Sequence, residues 1–542
     1  MIAFALALSM LWTFTDSTNS NESPINQNIN KMYTYTLPKA GSIKPQGWIK
    51  NQLKNDLNEG YIGHFHKVHP TVTHNLFTEQ NRKSKRKLSM RKEWWSGEHE
   101  GYWKDAIVRM AFLTNDSSYI EKAHQWMDTI IMNTGADGYI GIYENCEAPG
   151  CRFKHVHGNG ELWTTSRIIM AMLAYYEYTA DEHVLSAAEK AVQLIMDKYK
   201  ELNYFAVNSR GGGVSHGIGF FENLEWLYRI TENEDYLKAA LKLYTDFNNG
   251  NVRDDDLQTQ NLLKKDVYFQ KHGAHIAEGL FVPQFIASIS DDVRYQQAAK
   301  NTMEKLEYHL TPSGAMRCDE WIKGRKGTAD ERYEYCGITE MVSPLNTITA
   351  LTGDTRIGDK IETMVFNAAQ GSRFPVLKGL SYLTSDNRIK INHQEIAKRQ
   401  SYDASHLAAA CCVLNGARLM PYYVEGMWMK MTEKPGILAQ LYGPSVFETN
   451  FDGTKVKIEE QTNYPFEDKV KFIVHTAQPV SFSFALRKPH GTETAELYAP
   501  KGSQIEENSN QWIIEHTWNN GDTINIDFNF EIKTHKQPKQ KP

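Results

Sequence analysis

Three absences narrow the sequence before any motif is considered. Past the extreme N-terminus it has no run of roughly 18 or more apolar residues, which excludes a polytopic membrane protein. It has no surplus of either charge. Sixty Lys and Arg face 65 Asp and Glu, a formal charge of −5, so nothing argues for a nucleic-acid partner and nothing for acidic disorder. Cysteine is scarce, six in 542 residues, so each one needs an explanation. What is plentiful is aromatic: 12 Trp, 27 Tyr and 23 Phe, flat amphipathic rings that serve cores and also stack on sugar faces. The remaining composition, 41% hydrophobic and 23% charged, is that of a globular protein. The length suits about three to five domains, fewer if one is a large barrel.

The first twelve residues, Met1 to Trp12, are almost wholly apolar and lead into a polar Thr/Ser/Asn stretch to about Asn30. This resembles the core and exit of a secretory signal without its basic start, so residues 1–30 are expected to direct export to the periplasm or beyond. A mis-assigned start or a short membrane-associated tail is the alternative. In an oxidising compartment, Cys146 and Cys151 flank a turn closely enough for a local disulfide. Cys318, Cys336, Cys411 and Cys412 remain.

One pattern recurs from about Met32 to Met420: a small polar cluster with Asp or Glu, then an amphipathic helix. Its copies begin at Thr114, Thr179, Thr231, Ser290 and Thr352, spaced 52 to 65 residues apart, enough for two helices and their connections. Asp, Asn or Ser precedes each apolar-periodic run as a helix cap would. Five helical hairpins and a sixth around residues 404–416 predict a closed (α/α)6 barrel over 31–425; an open superhelix is the alternative. After about Trp428 the pattern alternates with period two and turn signals multiply, as at Val470–Val474, Val480–Leu486 and Thr523–Phe528. An antiparallel β-sandwich is expected over 426–533, and a disordered Lys/Gln/Pro-rich tail over 534–542.

The densest chemical cluster combines Cys318-Asp319-Glu320, Glu334-Tyr335-Cys336 and Cys411-Cys412-Val413-Leu414-Asn415-Gly416-Ala417-Arg418. Three thiols and a carboxylate suit a four-coordinate zinc ion, because these anionic donors match a borderline divalent cation. Adjacent cysteines point apart unless a turn or distorted helix makes them converge, so buried apolar thiols or a vicinal disulfide are the competing readings.

These residues carry a resemblance. Glu334-x-Cys336 followed by Cys411-Cys412-x-x-Asn415-x-x-Arg418, with Asp319-Glu320 upstream, resembles the β-L-arabinofuranosidase superfamily (glycoside hydrolase family 127-like), an α/α toroid followed by β-sandwich modules. Glu98-His99-Glu100-Gly101-Tyr102-Trp103, Gly160-Glu161-Leu162-Trp163, the segment His272 to Glu278 and Leu441-Tyr442-Gly443-Pro444-Ser445 support it. The resemblance implies that Glu334, Cys336, Cys411 and Cys412 hold Zn2+, that Cys411 is the nucleophile and that Glu320 is the general acid/base. A zinc-bound thiol is held as thiolate, and the metal bond must loosen as attack proceeds. Glu320 would protonate the leaving oxygen and then deprotonate water, with net retention.

Further residues are candidates for contact with an oligosaccharide, His216, His272, Trp103 and Arg325 first among them. His216 and His272 suit a sugar hydroxyl or carboxylate, although a helical His is more often packed or solvated. Trp94, Trp95, Tyr102 and Trp103 suit a stacking wall, with core packing the alternative. The cations Lys323, Arg325 and Lys326 follow Glu320 closely and would attract an anionic sugar, unless they belong to a solvated loop. His64, His66 and His69 do not follow a zinc spacing and are expected to line substrate or solvent. Arg210-Gly211-Gly212-Gly213 is a flexible loop and not a phosphate cradle, since no Lys-Ser/Thr follows. No nucleic-acid or transmembrane partner is implied. The expectation is an exported zinc-dependent enzyme that removes a non-reducing-end sugar from plant or algal oligosaccharides. Elimination at a terminal uronic acid of an anionic oligosaccharide is the rival, favoured by the basic loop, and a non-catalytic sugar-binding protein is the third.

Overall fold

The structure, a computed structural model, describes residues 32–58, 60, 76–83, 96–148, 150–154, 160–206, 212–373, 379–388 and 410–534. The signal-like segment, His64, His66, His69, Trp94, Trp95, Arg210, Gly211, residues 404–409 of the sixth hairpin and the tail from 535 lie outside the described residues.

The helices come in two kinds, and burial tells them apart. Helix α1 (Gly47–Asn58) is followed by the pairs α2 (Ser96–Thr114) and α3 (Ser117–Met132), α4 (Glu161–Thr179) and α5 (Glu182–Tyr199), and α6 (Phe220–Thr231) and α7 (Asp235–Asn249). Then come α8 (Gly273–Glu278), α9 (Val282–Ile289), α10 (Val293–His309), α11 (Tyr335–Thr352), α12 (Ile357–Thr363), α13 (Ala410–Gly416) and α14 (Leu419–Glu425). In α4 every residue from Glu161 to Tyr175 is buried, so this helix is enclosed on all sides. Its successor α5 buries only Val184, Leu185, Ala188, Ala191, Val192, Ile195 and Tyr199, one stripe at helical spacing, and faces solvent with the rest. Enclosed α2, α4, α6, α9 and α11 therefore form an inner ring, and amphipathic α3, α5, α7, α10 and α12 an outer one. The ring closes because α13 and α14 pack against both α11 and α2, which settles barrel over open superhelix. Gly97 and Gly101 bring α2 against α4: a Cβ at either would collide with Thr164 or Arg167. Among the repeat motifs, Asp116, Asp181 and Asp292 each cap a helix by accepting a backbone N–H two residues on.

Tyr333–Glu334 pairs with Leu383–Thr384, and the other strands among the described residues form two six-stranded sheets. One runs Tyr35–Thr36, Trp428–Met431, Gly436–Ala439, Val480–Arg487, Gln511–Trp518, Gln504–Glu507, and the other Glu496–Tyr498, Thr523–Asp527, Lys469–Thr476, Thr454–Thr462, Ser445–Phe451, Ile43–Pro45. All pairings are antiparallel except that of Val480–Arg487 with Gly436–Ala439. Trp428 stacks on Phe447 at 5.1 Å in the core between them. Residues 35–45 supply an edge strand to each sheet, so the sandwich takes in chain that the sequence reading placed in the barrel. Arg487, fully buried, ties the sandwich to α12: it pairs with Asp359 and with Glu362 at 2.5 Å, and Glu362 also accepts from Tyr464 Oη at 2.6 Å.

One irregular segment matters for function. Residues 320–324, between α10 and α11, lie along residues 269–273. Backbone N–H groups of Gly273, Ile322, Lys323 and Gly324 donate to Glu320, Lys271, Gln270 and Phe269 across the pair.

Candidate active site

The inner helices run in one sense, so their N-termini gather at one end of the barrel, and the candidate residues sit there. Glu98 and Glu161 lie in the first turns of α2 and α4, His216 precedes α6, and His272 caps α8. Cys336 is the second residue of α11 and Cys411 the second of α13. The positive ends of several helix dipoles converge here, an environment that favours thiolate and carboxylate.

Glu334, Cys336, Cys411 and Cys412 present ligand atoms that all lie within 4.8 Å of one another. Cys336 Sγ and Cys412 Sγ are 3.1 Å apart, and Cys412 Sγ is 3.7 Å from Glu334 Oε1. All four non-bridged cysteines are free thiols, so the vicinal disulfide is not formed. The adjacent pair converges because it opens α13, in the first helical turn. Cys336, Cys412 and Glu334 are buried and Cys411 alone is partly exposed, which makes it the thiol that a reactant can reach. Burial pushes the Cys336 and Cys412 thiols and the Glu334 carboxyl up, whereas hydrogen bonds from Cys336 and Cys412 hold the Cys411 thiol down. Four anion-capable groups at this separation with a buried, unpartnered Glu334 Oε2 are a donor set short of a cation. The residues fit a metal ion.

Glu320 sits beside this cluster, close enough for its charge to act on Glu334. Tyr382 Oη donates to Glu320 Oε1 at 2.6 Å. Glu320 has φ 70, in the left-handed region uncommon for residues other than glycine, and the backbone pairing of 320–324 with 269–273 holds it there. Tyr335 N–H donates to the Tyr382 carbonyl, which places the phenol between the acid and the thiols.

The histidines form a stack. His216 lies flat on Trp163 at 3.6 Å, against His275, which in turn stacks on His272 at 4.1 Å. Glu278 Oε2 meets His216 Nδ1 at 2.7 Å, and its Oε1 accepts from Trp163 Nε1 at 2.9 Å and pairs with Arg167 at 3.2 Å. Asp254 Oδ2 holds His275 Nδ1 at 2.6 Å in the same way. Asp254, whose carboxyl His275 and Arg253 hold below the usual carboxylate range, makes Nδ1 of His275 the donor and its Nε2 an acceptor. Burial lowers the pKa of both rings, consistent with neutral imidazoles.

His272, half-buried, bridges Trp321 and so borders the Glu320 loop. Trp103 is different. It is 2% exposed with its ring 4.7 Å from Trp126 of α3, so it packs between inner and outer helices and presents no face to a sugar. Tyr102 lies under the Arg418 guanidinium at 3.9 Å and is likewise buried. The basic loop is largely neutralised within itself: Lys323 pairs with Asp319 at 3.1 Å and Arg325 pairs with Glu331. Arg325 is thus an exposed side chain already holding an acid. Cys318 is a buried thiol packed against Gly273, and Cys146 and Cys151 are bonded to each other. Tyr382 and Asp254 went unnoticed in the sequence, where no motif surrounds either. Trp163 and Glu278 lie within segments that support the resemblance, but nothing in the segments discloses that they meet.

Comparison with known proteins fits this geometry. The sequence model of the β-L-arabinofuranosidase GH127 catalytic domain matches residues 42–425, and that of the GH127 middle domain matches 436–530. Among solved structures, a GH127 β-L-arabinofuranosidase from Geobacillus stearothermophilus T6 superposes with TM-score 0.68 at 17% identity, over 89% of this chain and 81% of that one. A GH127 β-arabinofuranosidase gives 0.68 at 15%, over 92% and 81%, and a further glycoside hydrolase 0.67 at 15%, over 93% and 80%. At these identities the structural likeness is one of fold. No curated protein matches the chain by sequence. The catalytic-domain match alone spans well over half of the chain, which therefore belongs to the β-L-arabinofuranosidase family GH127 and is a glycoside hydrolase acting on oligosaccharides.

Proposed function

We propose that this glycoside hydrolase is zinc-dependent and removes a non-reducing-end sugar in two steps, with Cys411 as nucleophile and Glu320 as acid and base. The observation that carries the reading is the meeting of Glu334, Cys336, Cys411 and Cys412 beside a carboxyl held by Tyr382. A bound zinc ion would keep the thiols ionised at neutral pH. Cys411 Sγ, the partly exposed sulfur, attacks the anomeric carbon as the C–O bond to the leaving group breaks, and Glu320 gives its proton to that oxygen. Glu320 then takes a proton from water as the water oxygen displaces Cys411 Sγ, regenerating thiolate and acid with the anomeric configuration retained. We assign contact with sugar hydroxyls to His216 and His272, with His275 behind them. A terminal β-L-arabinofuranoside, the substrate in the relatives' names, is the first to test. The signal-like N-terminus supports export, where plant or algal oligosaccharides would be met.

The test is mass spectrometry of neutral and uronate-terminated oligosaccharides incubated with metal-quantified protein. Release of an intact monosaccharide, abolished in Cys411→Ser and by chelation, is expected. Loss of about one water from a uronate with the chain intact, as in metal- or cation-assisted elimination, would replace the thioglycoside mechanism by elimination. The internal pairing of Lys323 and Arg325 weighs against a site built for an anionic sugar.

A further inference from the structure

The motif that carries the two adjacent thiols continues into Asn415 and Arg418, which the proposed chemistry leaves without a task. Both are buried, at 0% and 1% exposure, and both reach Glu340, itself 3% exposed. Asn415 Nδ2 donates to Glu340 Oε1 at 2.8 Å and Arg418 Nη2 donates to the same oxygen at 2.5 Å. Arg418 Nε also donates to Asn415 Oδ1, at 3.1 Å. Asn415 and Arg418 thus close on Glu340 Oε1, while Glu340 Oε2 faces Arg167 Nη1 at 3.8 Å.

Their placement gives this closure a purpose. Glu340 follows Cys336 by four residues on α11, and Asn415 follows Cys411 by four and Cys412 by three on α13, so each lies on the face of its helix that carries the thiols, about 5 Å along the axis. The cluster joins α11 to α13 one turn below the sulfurs. Arg418 extends the join to α2 and α14 through Tyr102, Asp105 at 3.7 Å and Tyr422 Oη at 2.8 Å. Once ionised, the ligand groups supply no such attraction, because thiolates and a carboxylate repel one another and tend to splay the two helices. The remaining Arg418 donors go to Tyr422 and Asn415, which makes contact with a sugar the poorer use of this residue.

We propose that Glu340, Asn415 and Arg418 form a positioning brace that fixes the separation of Cys336 from Cys411 and Cys412 and so sets the affinity of the site for its metal. The inference rests on the reading that the four-residue cluster holds a metal ion. None of the three touches the reacting atoms, and their effect reaches the site through the helices that bear the ligands.

The test is metal binding to the full-length chain after chelation. Cobalt(II) is titrated in and read by its thiolate charge-transfer and d–d bands, and zinc affinity is measured by competition with a chromophoric chelator. Asn415→Leu, close in volume but without donor or acceptor, is expected to weaken zinc binding about 10- to 100-fold, the range found when groups that orient metal ligands are removed, and to alter the d–d bands. Glu340→Gln, whose amide oxygen still accepts from Asn415 and Arg418, is expected to keep most of the affinity. Leu345→Ala, a buried packing change on α11 away from the brace, is expected to lower the thermal midpoint of the metal-free protein while leaving affinity unchanged. If Asn415→Leu does not fold, Glu340→Asp, which shortens the arm by one methylene, is read in the same titration against the same control. Wild-type affinity in the brace variant, or an equal loss in Leu345→Ala, would overturn the brace. A wild-type protein that gives no thiolate–cobalt band would overturn the metal reading instead, so the two failures are distinguishable.

Discussion

His309 should make the stability of the loop that carries Glu320 a function of pH, and the size of the effect can be worked out. The ring closes α10 with Nδ1 at 2.7 Å from the Arg325 carbonyl oxygen, while Nε2 accepts from the Phe269 N–H at 3.1 Å. One nitrogen donates and the other accepts, so only the neutral tautomer satisfies both partners. Burial is the main cause that pushes the pKa down from 6.5 to about 4. In the unfolded chain the ring titrates at about 6.5, so between pH 6.5 and 4 the unfolded state binds more protons and stability falls as pH falls. The contribution is fully present above 6.5 and gone at about 4, a span that corresponds to about 3 kcal/mol. His309→Gln, which can donate and accept but does not titrate, is the perturbation. Urea unfolding of both proteins from pH 7.5 to 4, compared as a difference so that shared titrations cancel, should move about 3 kcal/mol in favour of the variant on acidification. Phe269 and Arg325 flank the backbone pairing that holds Glu320, so hydrogen exchange at 320–324 should quicken over the same range in the wild type. A difference that stays flat with pH, or an NMR titration of His309 near 6.5, would refute the reasoning.

Three other outcomes follow from the geometry. Glu320→Gln should lower kcat about 10²- to 10⁴-fold for substrates with poor leaving groups and much less for a nitrophenyl glycoside, measured side by side. Tyr382→Phe removes one hydrogen bond to a carboxylate and should cost about 10- to 100-fold in kcat with KM little changed, whereas an equal change in KM would make Tyr382 a binding residue. Arg487→Met leaves buried Glu362 and partly exposed Asp359 without their cation and should destabilise the protein by about 3–5 kcal/mol in denaturant unfolding, with the barrel–sandwich junction opening first in hydrogen exchange.

The sequence disclosed what local chemistry dictates. Helix caps at Asp116, Asp181 and Asp292 mark their hairpins because a carboxylate two residues before an N–H acts within a few bonds of chain. The period-two strand at 469–476 is legible for the same reason, alternate residues meeting the core and the more exposed face, whereas 480–487 alternates in sequence but is buried continuously from Phe482 to Arg487. The edge strands 35–36 and 43–45 were not, because two or three residues carry no period and they pair with strands some 400 residues away.

Charge is where sequence and structure part, and the parting has a direction. A charged residue in a sequence defaults to solvent, since burying it unpaired is costly. The site end of this barrel instead buries Arg167 with Glu222 and Glu278, and Arg418 with Glu340, pairs drawn from helices far apart in the chain. Arg325 shows the converse, a cation assigned to substrate that is held by Glu331 six residues on. Trp103 fails for a related reason: on a helix enclosed on every side, periodicity cannot tell the face toward the axis from the face toward the outer ring. The thiols are legible by type, since three thiols and a carboxylate match the donors of a metal ion, with buried apolar cysteines as the competing reading. Their legibility is compositional, whereas that of Tyr382, Asp254 and the brace is topological. A substitution that alters ligand type should therefore abolish metal binding outright, while one that alters only the partners of α11 and α13 should grade it.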